Sequence, residues 1–362
     1  MVYPVLLPHL QNAYGLTLTT AGLLVTVLWL SVSVGQVPSG ILADRHNESA
    51  IMAASTVVVG TALTLVVVAS STLVLFAATA LWGLGHALYP IARITFLSKL
   101  YDNRLGSALG VTMATGDIGQ TVLPPVATAL TAAVAWQLGL WFIVPVLGIV
   151  GVVLLLVPVP QSSHAGSAGS LREITRIVGE LRTQSMGLMT LILFLYLFIW
   201  QSFTAFYPTY LTQVKGLSPS VASLLFGFFF AVGIVVKPVS GASYDRFGMK
   251  TTLAAILAPS IFGFALLPVL DGLWPLVVST TLISIMLGSG SVTHAFLADA
   301  FSAELQGTGL GVVRAVTMSV AAAGPVAFGV AGDNGYFDEG YVGLAVIMCG
   351  ILVLIAQMPE PE

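Results

Sequence analysis

The chain has 362 residues, of which 57% are hydrophobic and only 7% charged, with a mean hydropathy of +0.99. A soluble domain carries roughly 25% charged residues, so the bilayer rather than water is the solvent here. A net charge of −3 with no basic run excludes a nucleic-acid partner, and the single cysteine, Cys349, excludes an internal disulfide or a cysteine metal cluster.

A spanning helix takes about 20 apolar residues, which leaves room for about twelve spans joined by short loops. Apolar helices are predicted at 1–12, 17–43, 50–70, 72–97, 105–131 and 137–158. Six more are predicted at 187–213, 218–243, 249–270, 273–297, 306–331 and 340–358. The fold class expected is therefore all-α integral membrane, in two six-helix bundles covering 1–158 and 186–362. The polar linker between them, 159–185, carries LREITRIVGEL, with Leu171, Ile174, Ile177, Val178 and Leu181 on one helical face. That pattern suits a short helix in the headgroup region, or a solvated connector.

The two bundles repeat at one offset. Gly15-Leu16 matches Gly216-Leu217, Ser39-Gly40 matches Ser240-Gly241, Asp44-Arg45 matches Asp245-Arg246, and Pro124 matches Pro325, each 201 positions apart. Gly106-x-x-Leu109-Gly110 matches Gly307-x-x-Leu310-Gly311 in the same way. Such duplication is common in secondary transporters. The start, MVYPVLLPHL, has neither the basic head nor the cleavage site of a signal peptide. By the offset, the partner of helix 7 begins about 14 residues before Met1, so the chain is expected to begin inside helix 1. Basic residues set the sidedness. Arg45, Lys99, Arg104, Arg172, Arg176, Arg182, Arg246 and Lys250 fall on one side, and only Lys215 on the other. Both termini are then cytoplasmic, and Asn47-Glu48-Ser49 faces the cytoplasm rather than glycosylation.

The loop after helix 8 reads Gly241-x-x-x-Asp245-Arg246-x-Gly248-x-Lys250; the loop after helix 2 keeps Gly40-x-x-x-Asp44-Arg45 and departs after it. Twelve spans in two parallel repeats with this motif twice resemble the major facilitator superfamily over essentially the whole chain. The resemblance implies alternating access by a secondary transporter of the cell membrane, not an enzyme, with no cofactor, a small-molecule substrate and a monomeric state. It also implies that the two motif loops act as an inner gate, each aspartate facing the start of helix 11 or helix 5; a plain salt-bridged turn is the alternative. The helix 4 arginine and helix 5 Gly-Pro of the family's proton-coupled drug exporters are missing here.

Ionisable groups inside spans are site candidates because burying them is costly. Lys237 in helix 8 and Arg314 in helix 11 have Gln36 and Met113 as repeat partners, so their charge is one-sided. They are expected near the midplane, facing one cavity, where two cations attract a carboxylate. This is similar to the arrangement in oxalate–formate exchangers and related carboxylate transporters of the superfamily. Asp117 in helix 5 is expected to neutralise a site cation, carry a coupling proton, or bond to backbone. His86 is a second coupling candidate or a plain hydrogen bonder. Gln36, Gln201 and Tyr207 are candidates for the pocket lining, as are Trp29, Gln120, Trp200 and Phe203. Arg93 in helix 4, matched by His294, reads as structural or as part of the inner gate. No spacing makes a metal site. The expected function is transport of a small organic anion; the alternatives are proton-coupled efflux of drugs or metabolites, and a transport-inactive sensor or structural relative.

Overall fold

A computed structural model of the chain describes residues 2–45, 47–100, 105–156, 184–300 and 306–359. No strand occurs among them. The helices of the first half are α1 Tyr3–Tyr14, α2 Leu18–Arg45, α3 Glu48–Val68, α4 Thr72–Leu100, α5 Leu105–Ala133 and α6, which runs in two pieces, Leu138–Trp141 and Ile143–Leu156. In the second half, α7 is Gln184–Gln213. A continuous helical run, Pro219–Leu266, is broken at Gly248, where φ is 76° and ψ 174°, giving α8 (219–247) and α9 (249–266). Then α10 runs Leu273–Ser284, a 3₁₀ turn Ile285–Gly288 and Ser289–Ala300; α11 runs Gln306–Ala321 and Ala323–Asp333; and α12 is Phe337–Gln357. Among the described residues, nine stretches are long and apolar enough to cross a membrane. The predicted linker helix over 171–181 lies outside the described residues.

Local chemistry explains the helix ends. Gly15 and Gly216, repeat partners, both take the left-handed conformation that closes a helix, with φ of 63° and 66°. Asn47 accepts a hydrogen bond from the Ser49 N–H at 2.9 Å and so caps α3. Ser218 caps α8 with Pro219 in the first turn. Pro38, Pro90, Pro124, Pro125, Pro208 and Pro238 lie within helices. A membrane tolerates them because neighbouring groups take up the freed backbone carbonyls.

Packing places the site between the halves. α2 packs on α4 within its half and on α11 across the interface; α5 packs on α8. Small residues allow the closest approaches. A Cβ on Gly22 would collide with the Pro325 carbonyl, one on Gly329 with the Leu18 carbonyl, and one on Gly227 with the Thr121 carbonyl. Gly83, Gly85 and Gly288 are packing glycines, against Ser31, Val58 and Ser240; Gly290 has open space around it. In the second half, α7 anchors an aromatic core: Phe203 stacks on Tyr207 at 4.5 Å and meets Phe229, Phe264 and Tyr341 edge-on or tilted.

Candidate substrate site between the halves

Two seams join the halves, α2 with α11 and α5 with α8. At the α5–α8 seam the Lys237 ammonium donates to both carboxylate oxygens of Asp117, at 2.6 and 2.7 Å. The carboxylate side chain is 6% exposed and the lysine 27%. Lys237 therefore does not run free to the surface; it is held by a group of the opposite half. Gln120, one turn along α5, donates weakly to the same carboxylate at 3.4 Å. A buried ion pair is tolerable only when both charges are matched, and this one is.

Gln36 and Met318 occupy the equivalent positions of the α2–α11 seam, since each lies 201 positions from Lys237 and Asp117 respectively. They touch: the Gln36 amide donates to the Met318 sulfur at 3.4 Å. Beside them Ser33 donates to the Ala315 carbonyl at 2.7 Å and lies 2.6 Å from the Ser319 hydroxyl. The repeat thus reproduces the contact in both seams, charged in one and neutral in the other.

A cavity of about 380 Å³ opens between α1, α2, α4, α5 and α7. Its walls are mostly apolar and aromatic, from Tyr3, Trp29, Trp82 and Trp200, with His86, Gln120 and Thr204 as polar groups. Trp29 and Trp200 meet edge-to-face across the halves at 5.5 Å. The volume falls in the range of small-molecule sites, about 300–1,000 Å³. Gln120 joins the cavity to the ion pair, because it lines the one and touches the other.

The sequence-predicted residues divide. Lys237, Asp117 and Gln120 come together; Gln36 lies at the neutral seam; His86, Trp29 and Trp200 line the cavity. Arg314 is half-buried on α11, one turn from Met318 on the same face, and makes no ion pair or side-chain hydrogen bond among the described residues. Tyr207 and Gln201 are elsewhere: both are fully buried, Tyr207 stacked in the aromatic core and hydrogen-bonded to Thr280, Gln201 with neither amide atom partnered. Their place on α7 had suggested the cavity, but the face that lines it belongs to Trp200, Thr204 and Ala205.

Of the motif residues, Gly241 has open space where a Cβ would stand, Asp245 and Arg246 are exposed, and the Arg246 guanidinium lies 5.1 Å from the Phe247 ring centre. Gly248 makes the turn, and Lys250 is on α9. Gly40, Asp44 and Arg45 end α2; their side chains, and those at the starts of α5 and α11, lie outside the described residues. At the opposite end the halves are clamped. Asp333, closing α11, accepts from the N–H groups of Leu18 and Thr19, at 2.8 Å each. It places a carboxylate on the positive end of α2. This clamp is not found by sequence reasoning; its only signal in the sequence is an acid at a helix end.

A family model described as the Major Facilitator Superfamily matches residues 1–325 and 189–362. Among curated proteins, the "Probable sulfoacetate transporter SauU" of Cupriavidus necator is 24% identical over 67% of this chain. The "Nitrite extrusion protein" of Bacillus subtilis is 23% identical over 62%. The matches cover 60% and 56% of those relatives' own lengths. Among solved structures, a bacterial homologue of the human lysosomal transporter Spinster, inward-facing and occupied, superposes with a TM-score of 0.81 at 14% identity, over 99% of this chain and 92% of that one. A mutant of the nucleoside transporter NupG gives 0.83 at 13% identity, over 99% and 95%.

Proposed function

The chain belongs to the major facilitator superfamily, whose members are multi-pass membrane transporters rather than enzymes, and from that premise we propose that it carries a small organic anion across the cell membrane by alternating access, with Lys237 and Arg314 as its binding cations. The observation that carries the reading is the Lys237–Asp117 pair, which bridges the halves beside an aromatic cavity. In this reading Asp117 stands where an acidic group of the substrate would go. A carboxylate or sulfonate entering the cavity competes with Asp117 for Lys237. The exchange swaps one buried charge pair for another, so neither state leaves Lys237 bare.

Two further facts support the reading. Both curated relatives are named for anions, sulfoacetate and nitrite. The second is the clamp: the end held by Asp333 is the outer one by the distribution of basic residues, and the motif end is the inner one. In this reading the chain is organised as two six-helix bundles, 1–158 and 186–362, joined by a cytoplasmic linker. Both termini are cytoplasmic, and the loops at Asp44-Arg45 and Asp245-Arg246 gate the inner side.

The test is uptake into proteoliposomes across a panel of carboxylates and sulfonates. Wild-type protein should accumulate one of them, and Lys237→Gln should lose at least tenfold of that rate. Equal uptake by the variant would remove Lys237 from the site. Retention of uptake by Lys237→Gln together with its loss in Asp117→Asn would instead favour proton-coupled efflux of a neutral or cationic compound.

A further inference from the structure

The Lys237–Asp117 pair is neutral, and two more cations inside helices make no ion pair among the described residues. Arg93, on α4 of the first half, lies seven residues before the helix ends at Leu100; Arg314, on α11 of the second half, lies eight residues after that helix begins at Gln306. At about 1.5 Å per residue both stand about 10 to 12 Å from the motif-bearing end. Both helices pack on α2, and the two guanidinium groups are within Coulombic reach of each other. The Arg93 Nε is buried and has no hydrogen-bond partner. Arg314 has neither a carboxylate nor a hydrogen-bond acceptor for its side chain among the described residues. Two like charges within Coulombic reach repel, and a half-buried cation with no counter-charge is costly. Gln36 stands on α2 beside this junction, through its contact with Met318 one turn from Arg314.

We infer that Arg93 and Arg314 form an anion-binding site that spans the two halves at the inner mouth of the cavity, and that the substrate is a dianion. The charge balance points to the valence: of the cations Lys237, Arg93 and Arg314 within the spans, only Lys237 has a carboxylate partner among the described residues, which leaves two positive charges uncompensated there. Guanidinium forks match planar carboxylate and sulfonate groups better than a point cation does. Arg93 thereby acquires a binding role rather than a structural one. The inference rests on the reading that the chain carries organic anions, and adds to it the valence and the second binding arm.

Thermal unfolding of the purified full-length protein in detergent is the test, with acetate and chloride as monoanions and malonate and succinate as dianions, at matched ionic strength. A dianion should raise the melting temperature with a half-saturation at least tenfold below that of either monoanion. Arg93→Gln and Arg314→Gln should each weaken the dianion at least tenfold and change the monoanions less than twofold. Arg93→Lys, which keeps the charge, should retain much of the response and covers the case in which Arg93→Gln does not fold. Wild-type dianion affinity in Arg93→Gln, with the response lost in Lys237→Gln, would overturn the Arg93 site and leave the organic-anion reading standing. A wild-type preference for monoanions would overturn the assigned valence alone. No stabilisation of the wild type by any anion would overturn both.

Discussion

The two seams between the halves make the same contact at positions 201 residues apart, and they differ in charge. In the α2–α11 seam, Gln36 meets Met318, serine hydroxyls bond to backbone and to each other, and Asp333 caps α2 at the far end. In the α5–α8 seam the equivalent positions are Lys237 and Asp117, joined by a bidentate ion pair. Both keep a glycine pressed on a carbonyl, Gly22 on Pro325 and Gly227 on Thr121. Close packing is thus common to both seams and belongs to the scaffold. The charge is confined to one seam, and a scaffold that works without it in α2–α11 does not require it in α5–α8. The ion pair is therefore where chemistry specific to this carrier is sought.

The largest effect expected from breaking this contrast comes from removing one member of the pair. Lys237→Ala or Asp117→Ala strands a buried charge and should destabilise the protein by about 3–5 kcal/mol, whereas the double variant should recover much of that stability without recovering transport. Detergent melting of the three variants measures it, and additive losses in the double variant would deny the coupling. Next, Gly22→Val or Gly227→Val drives a side chain into a backbone carbonyl and should cost about 1–3 kcal/mol in either seam, read by the same melts. Asp333→Asn removes the charge from the α2 N-terminus, worth about 0.3–1 kcal/mol. It should leave the melt nearly unchanged but raise outer-side labelling of a cysteine placed at Thr20, in a background with Cys349→Ser, by up to about fivefold. Smallest of all, Met318→Leu, which loses a weak amide–sulfur contact, should cost less than about 1 kcal/mol and leave transport intact. A large loss of transport there would mean that the neutral seam also handles substrate.

Most of the fold is legible in the sequence because a bilayer leaves few alternatives. Apolar runs must be helices, and the 201-residue offset carries Gly15 onto Gly216 down to the shared left-handed turn. Helix ends shift by a few residues where caps intervene, as at Asn47 and Ser218. The site is legible in part. Lys237 and Asp117 stand out as rare charges in apolar runs, but their partnership depends on which helix faces of α5 and α8 meet, and one sequence does not fix rotation about a helix axis. For the same reason Gln201 and Tyr207, neighbours of Trp200 and Thr204 along α7, point away from the cavity that those two line. Arg93 reads in the sequence as structural or as part of the inner gate, because its repeat partner is the basic-capable His294; its unpartnered Nε emerges only from three-dimensional packing.

The central claim is that Asp117 holds the place of the substrate's acidic group on Lys237. The direct measurement is the equilibrium affinity of the purified protein for the anion that it transports, compared between wild type and Asp117→Asn. If Asp117 competes with the substrate, the variant binds the anion at least tenfold more tightly at neutral pH, because the internal carboxylate no longer occupies the lysine. Equal or weaker binding by a folded Asp117→Asn protein would contradict the account, and would make the pair a structural bridge between the halves.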